Sequence, residues 1–274
     1  MTKALMGSVS AAALALVLAT PAGDVQAAAI RDAALFTNVL GANDDGSTAA
    51  QGLGFTINFF GQSFSQLFVN NNGNVTFDAP LSTYTPFSLS TTSREILAPF
   101  FADVDTRGSG SDVVRFGQAT IGGRSVFGVN WIDVGYYSQY YGNLNSFQLI
   151  ITDRSDIAAG DFDFEFNYDQ IQWEAGTASG GNANGLGGSS ARVGWSNGGA
   201  STFELAGSAI NGAFLDGGPN ALISGSLNSN VAGRYIFNVR NGTVEPPTQV
   251  PEPVSLALVV TALLAAGSAA RRRA

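Results

Sequence analysis

The chain has 274 residues, 45% hydrophobic and only 12% charged, with 19 Phe, 7 Tyr and 3 Trp to build a core and a formal net charge of −8. It contains no cysteine and no histidine. That excludes disulfides, thiolate metal sites, cysteine nucleophiles, Ser-His-Asp triads and the usual zinc enzyme sites.

The first predicted element is an address. Lys3 gives a positive start, residues 11–20 (AAALALVLAT) are uninterruptedly apolar, and small residues follow at Ala27, Ala28 and Ala29. This three-part layout predicts a secretory signal peptide over residues 1–28, cut near Ala27 to Ala29. Between this segment and the far end of the chain, 19 acidic residues face 9 arginines and no lysine. Such a surface repels phosphate backbones, so nucleic acid is not an expected partner, whereas cations are attracted.

From there the signal is alternation with period two. Asp161, Asp163, Glu165 and Asn167 interleave with Phe162, Phe164, Phe166 and Tyr168, which places four rings on one face of a strand and four polar groups on the other. Similar runs lie at 54–60, 64–70, 74–78, 96–103, 113–117, 124–134, 146–152, 191–195 and 234–239. Clusters of Gly, Asn, Asp and Ser at 41–48, 70–74, 107–112, 142–145 and 180–190 read as turns and loops, the last of them long and mobile. Many short strands without a long amphipathic helix predict an all-β fold, an antiparallel sandwich or barrel-like single domain over 29–244.

The strands carry candidate chemistry. Asp103 and Asp105, with Asp112 across a flexible glycine-serine stretch, offer the oxygen ligands that calcium prefers. The competing reading has Arg107 pairing with one of these aspartates while Asp105 bonds turn amides. Three like charges at Asp161, Asp163 and Glu165 need opposing arginines, a cation or solvent, and the solvated outer face of a sheet is the expected account. A glycosidase would need two carboxylates across a cleft. Glu174 beside Trp173 is the candidate, against the expectation that Trp131, Trp173 and Trp195 belong to the core. Tyr136, Tyr137, Tyr140 and Tyr141 sit at a predicted hairpin end. There they either present rings to a saccharide or protein ligand or stack across strands. Asn74 and Asn241 begin weak glycosylation sequons, and Asn74 reads more simply as a turn residue.

Several of these pieces, in order, carry a resemblance. Asn71-Asn72-Gly73-Asn74-Val75-Thr76-Phe77 precedes Ile96-Leu97-Ala98-Pro99-Phe100-Phe101-Ala102-Asp103-Val104-Asp105-Thr106-Arg107, then Trp131-Ile132-Asp133-Val134-Gly135-Tyr136-Tyr137 and Asn145-Ser146-Phe147-Gln148-Leu149-Ile150. Phe166-Asn167-Tyr168, Ile171-Gln172-Trp173 and Ala191-Arg192-Val193-Gly194-Trp195 complete the series. The run from about 70 to 197 resembles the nidogen-like (NIDO) extracellular domain. The resemblance implies an extracellular role in cell–matrix adhesion and brings no catalytic residues with it.

The chain ends on a second resemblance. Pro251, Glu252 and Pro253 follow a proline-rich spacer, residues 254–270 contain no charge, and Arg271, Arg272 and Arg273 follow. The apolar run is at the short limit for a transmembrane helix, with the arginines held on the cytoplasmic side. In this order the parts of 245–274 resemble the PEP-CTERM sorting signal. It implies an exosortase as partner, the Pro-Glu-Pro triplet as recognition element, transient anchoring in the membrane, and export to a cell surface or matrix rich in exopolysaccharide or biofilm. The expectation is therefore a non-enzymatic exported adhesion protein, with a carbohydrate-active protein, lectin-like or glycosidase, as the alternative.

Overall fold

A computed structural model describes residues 28–247. Of the expected signal peptide over residues 1–28 only Ala28 is described, and the expected sorting segment, with Pro251, Glu252, Pro253, the apolar run 254–270 and Arg271, Arg272 and Arg273, lies outside the described residues. Among the described residues no helix is long and apolar enough to cross a membrane.

The described residues hold thirteen strands: β1 (Asn38–Leu40), β2 (Gln51–Phe59), β3 (Gln62–Asn70), β4 (Asn74–Thr76), β5 (Glu95–Phe101), β6 (Val114–Ile121), β7 (Arg124–Tyr136), β8 (Tyr140–Asp153), β9 (Phe162–Gln170), β10 (Arg192–Asn197), β11 (Thr202–Glu204), β12 (Arg234–Arg240) and β13 (Thr243–Val244). They form two sheets, ordered β1-β6-β7-β8-β9-β12-β13 and β11-β10-β5-β4-β3-β2. Every ladder between these strands is antiparallel. The architecture is a sandwich and not a closed barrel.

Alternation in β9 fixes its register in the seven-stranded sheet. Phe166 lies opposite Leu149 on β8 and Tyr235 on β12, and Phe164 lies opposite Ile151 and Phe237. A one-residue slip would turn all four β9 rings to the outer face and set charged groups in the core, so the hydrophobic pattern fixes the pairing. The rings interlock, with Phe164 stacked on Phe237 at 4.7 Å and Trp131 on Phe147 at 5.2 Å between centroids. Leu67, Val69, Val75, Leu97, Val193 and Trp195 close the core from the other sheet. Burying each such side chain contributes about 1.5–3 kcal/mol.

Two expectations are corrected. Residues 142–145 are not a turn: they belong to β8, and Asn145 lies opposite Val134 on β7. The acidic row on β9 is not a solvated face either. Arg31 forks onto Glu165, while Arg154 and Arg240 each hold one oxygen of Asp163 at 2.6 Å. Asp161 accepts the Asn241 N–H. The chain before β1 lies across this face. Arg31 donates its N–H to Gln148, the Asn130 side chain donates to the Ala33 carbonyl, and Arg234 donates to the carbonyls of Ala28 and Ala29. Opposing arginines and a covering segment, rather than water, relieve the repulsion.

Candidate functional site

At one end of the sandwich, loop 41–48, the turn between β3 and β4, the exit of β5, the β7–β8 hairpin and the stretch after β9 meet. The turn is the anchor. Gly73 adopts a φ of +70°, and a Cβ there would run into the Phe100 carbonyl oxygen, so glycine is needed for β4 to fold back beside β5. This turn buries Asn71 and Asn72 completely, and a buried amide must find partners. Asn71 donates its side-chain N–H groups to the carbonyls of Val104 (2.6 Å) and Asp44 (2.5 Å). Its own backbone N–H goes to the Gly46 carbonyl, and its carbonyl accepts the Trp131 indole N–H at 2.9 Å. Asn72 donates to Asp45 Oδ1 at 2.9 Å and accepts the Val104 N–H through its side-chain oxygen. Two adjacent asparagines thus tie loop 41–48 to the exit of β5.

That tie brings three carboxylates together. One oxygen each from Asp44, Asp45 and Asp103 lies within 4.8 Å of the other two. Asp103 is 1% exposed. Its Oδ1 has no hydrogen-bond partner in the protein, and Oδ2 accepts only a long bond from the Ser179 hydroxyl at 3.4 Å. Gly176 packs on this carboxylate so closely that a Cβ there would collide with it. Burial pushes the Asp103 carboxyl up to about 7, and Asp44 and Asp45 push in the same direction. Burial also raises Asp44 to about 6, with Asp105 and Asp45 adding and Arg107 opposing. Asp44 Oδ1 is likewise buried without a partner.

Asp105 is handled differently. Burial would raise its carboxyl, but the Arg107 side chain and backbone and the Gln139 N–H outweigh it and hold the group below its ordinary value. Arg107 spans both Asp105 oxygens at 2.8 and 2.7 Å and reaches Asp44 Oδ2 at 2.8 Å. This is the pairing described by the competing reading of the sequence. Asp112 is exposed, outside the group of three, and its carboxylate accepts the neighbouring Val113 N–H. Of the predicted trio only Asp103 therefore joins the cluster. Asp44 and Asp45 were missed because residues 41–48 read as turn chemistry, and nothing local links them to a residue sixty positions later.

The tyrosines divide. Tyr136 is 1% exposed, stacks on Tyr140 at 5.4 Å and meets Trp173 at 5.1 Å, and its hydroxyl donates to the Ala183 carbonyl. Tyr137 is partly buried; its ring lies 6.0 Å from the Arg107 guanidinium, and its N–H donates to the Asp103 carbonyl. Tyr141 is 49% exposed and lies over Gly108 and Gly110. Tyr136 and Tyr140 form a cross-strand stack, and Tyr140 and Tyr141 keep exposed ring surface. The loop 180–190 is internally bonded rather than loose, with the Asn182 N–H on the Leu186 carbonyl and the Ser189 N–H on the Ser179 carbonyl.

Glu174, the carboxylate considered for glycoside chemistry, does not face a cleft. Glu174 is fully buried and accepts the N–H groups of Gly212 and Phe214 at 2.5 and 2.7 Å. Trp131, Trp173 and Trp195 are all core. Asn74 is buried at the start of β4 and its amide donates to the Asn72 carbonyl, so that sequon is closed to modification.

A family model described as nidogen-like domain matches residues 65–121 and 115–241. Alpha-tectorin of Mus musculus is 32% identical over 228 residues, covering 74% of this chain and 10% of that protein. Alpha-tectorin of Gallus gallus is 32% identical over 231 residues with the same coverage. Nidogen of Drosophila melanogaster is 29% identical over 131 residues, covering 39% of this chain and 10% of that protein. The chain thus spans about a tenth of the length of these curated relatives. No solved structure matches it.

Proposed function

The chain belongs to the nidogen-like domain family, and from that premise we propose that it is a non-enzymatic, exported surface or matrix protein that adheres through the loop end of its sandwich. The observation that carries this reading is the composition of that end. Exposed Tyr140 and Tyr141 follow Gln139, whose N–H is held by Asp105, and Tyr141 lies over Gly108 and Gly110, while buried Asn71 and Asn72 fix the neighbouring acidic loop 41–48. Rigid amphipathic rings of this kind bind saccharide faces or protein surfaces at low entropic cost. The fully buried Glu174, held by two backbone amides, supports binding over hydrolysis. Export and exosortase processing rest on the two end segments, with exopolysaccharide or another matrix component as partner and residence at the cell envelope or outside it.

The test is binding and turnover on exopolysaccharide purified from the native cells, using the full chain. The expected result is saturable binding without released sugar, weakened at least about tenfold in a Y140A/Y141A double variant. Product release abolished by E174Q would overturn the non-enzymatic reading. Undiminished binding by the double variant would overturn the assignment to this end. Recovery of the native protein in the cytosol with residues 1–20 and the arginine end intact would overturn export.

A further inference from the structure

We propose that Asp44, Asp45 and Asp103 bind a single calcium ion that fastens loop 41–48 to the exit of β5. This site differs from the Asp103, Asp105 and Asp112 set expected from sequence and does not depend on which partner the protein adheres to. Two ligand oxygens on one calcium, each at about 2.3–2.6 Å, lie no more than about 5 Å apart. The three carboxylates meet that condition, with all three oxygens within 4.8 Å of one another.

Proximity alone makes no site, since acidic loops are common. The second observation is Asp103 itself, 1% exposed with Oδ1 unpartnered. Buried charges are paired or coordinate metals, and no arginine of the described residues pairs with this one. Arg107 is committed to Asp105 and Asp44, which leaves Asp103, Asp45 and the buried Asp44 Oδ1 without a cation. Asn72 already holds Asp45 Oδ1, and Asn71 holds the Asp44 backbone, so the loops are placed before any ion arrives.

Chemistry then selects the ion. The donors are oxygen, and the chain has neither histidine nor cysteine, which disfavours zinc and copper. Magnesium demands a near-ideal octahedron and keeps most of its water, whereas calcium accepts irregular sets of carboxylates and carbonyls. Three carboxylates, one buried and two partly buried, on two loops suit calcium.

The experiment is calorimetric titration of the chelator-treated, desalted full chain with calcium chloride, and separately with magnesium chloride. It is run on the wild type and on D103N, D45N and D112N. The expected result is one calcium per chain, binding at least about tenfold weaker in D103N and in D45N, and unchanged in D112N. Calcium should also raise the thermal midpoint of the wild type, and raise that of D103N by less at the same calcium concentration. Emission from the three buried tryptophans checks folding, and D45N carries the test where D103N fails to fold. Absence of heat up to about 10 mM calcium, beyond the range of extracellular modules, would overturn the site. So would wild-type binding in both D103N and D45N. Equal affinity for magnesium would overturn the assignment to calcium.

Discussion

Replacing Asn71 by alanine should be among the most damaging single changes outside the aromatic core. The side chain is fully buried and its two amide hydrogens are used on the carbonyls of Val104 at 2.6 Å and Asp44 at 2.5 Å. Val104 is fully buried, so water cannot replace the lost donor, and an orphaned buried carbonyl costs about 1–3 kcal/mol. Asp44 is only partly buried, and its carbonyl loses about 0.5–1.5 kcal/mol. Together N71A should lose about 1.5–4.5 kcal/mol, a large share of the roughly 5–15 kcal/mol that holds a domain folded. The Asn71 N–H to Gly46 and the Trp131 indole to the Asn71 carbonyl survive, because both use backbone atoms. The fold should therefore persist while loop 41–48 loosens. Guanidinium unfolding in EDTA, followed by tryptophan emission, gives the loss as the midpoint shift multiplied by the slope. The same variant should bind calcium more weakly although Asn71 is no ligand. A loss below about 1 kcal/mol would refute the claim that this amide joins the two loops.

Further outcomes follow from the same geometry. Glu174 has its carboxyl raised above the ordinary 4.5 by burial, only partly offset by the Phe214 and Gly212 amides. The folded state therefore binds this proton more tightly than the unfolded chain. The stability it contributes is present below pH 4.5 and is lost as pH rises through the raised value. Thermal midpoints of wild type minus E174Q, taken from pH 4 to pH 8, should fall across that window, and a flat difference would contradict the burial argument. R234M removes the clamp on the carbonyls of Ala28 and Ala29. It should speed hydrogen exchange at residues 28–36 and cost about 1.5–3 kcal/mol; unchanged exchange there would show that the segment is held elsewhere. Y141A should stay within about 0.5 kcal/mol of wild type in unfolding, as an exposed ring away from special features does. A larger loss would make Tyr141 a structural residue.

The legible part of the fold was whatever repeats locally. The β9 alternation announced itself because four rings at period two have no helical reading, and β9 carries the register of the sheet on both sides. Strands of two or three residues such as β1, β11 and β13 contain no period to detect. Residues 142–145 looked like a turn because Gly and Asn favour turns, yet they lie within β8, where the ladder with β7 shifts register between the Val134–Asn145 and Tyr136–Tyr140 pairs. Tertiary pairing overrode local preference there. The candidate site was half legible. Asp103 stood out beside Asp105, but their spacing could not say that Arg107 would take Asp105 alone. Nor could it say that Asn71 and Asn72 would bring Asp44 and Asp45 across from a distant loop.

The two acidic groups of this chain, one contiguous on β9 and one assembled from two distant loops, are opposites in charge balance. On β9, Glu165 has Arg31 with Arg234 nearby, and Asp163 has Arg154 and Arg240. Four of nine arginines between the end segments neutralise that row. At the loop end one guanidinium serves Asp44 and Asp105, and Asp103 receives none. An unpaired buried carboxylate opposes folding, whereas one bound to an ion fastens two loops. The two accounts predict opposite rankings of one pair of proteins. In EDTA, D103N should melt at or above the wild type, because the substitution removes an uncompensated charge. In calcium at one hundred times the dissociation constant the wild type gains about 2.7 kcal/mol and should melt above D103N. A crossing of the two curves on adding calcium means that Asp103 is kept for the ion. Parallel curves, with D103N the more stable in both buffers, mean that no ion binds there.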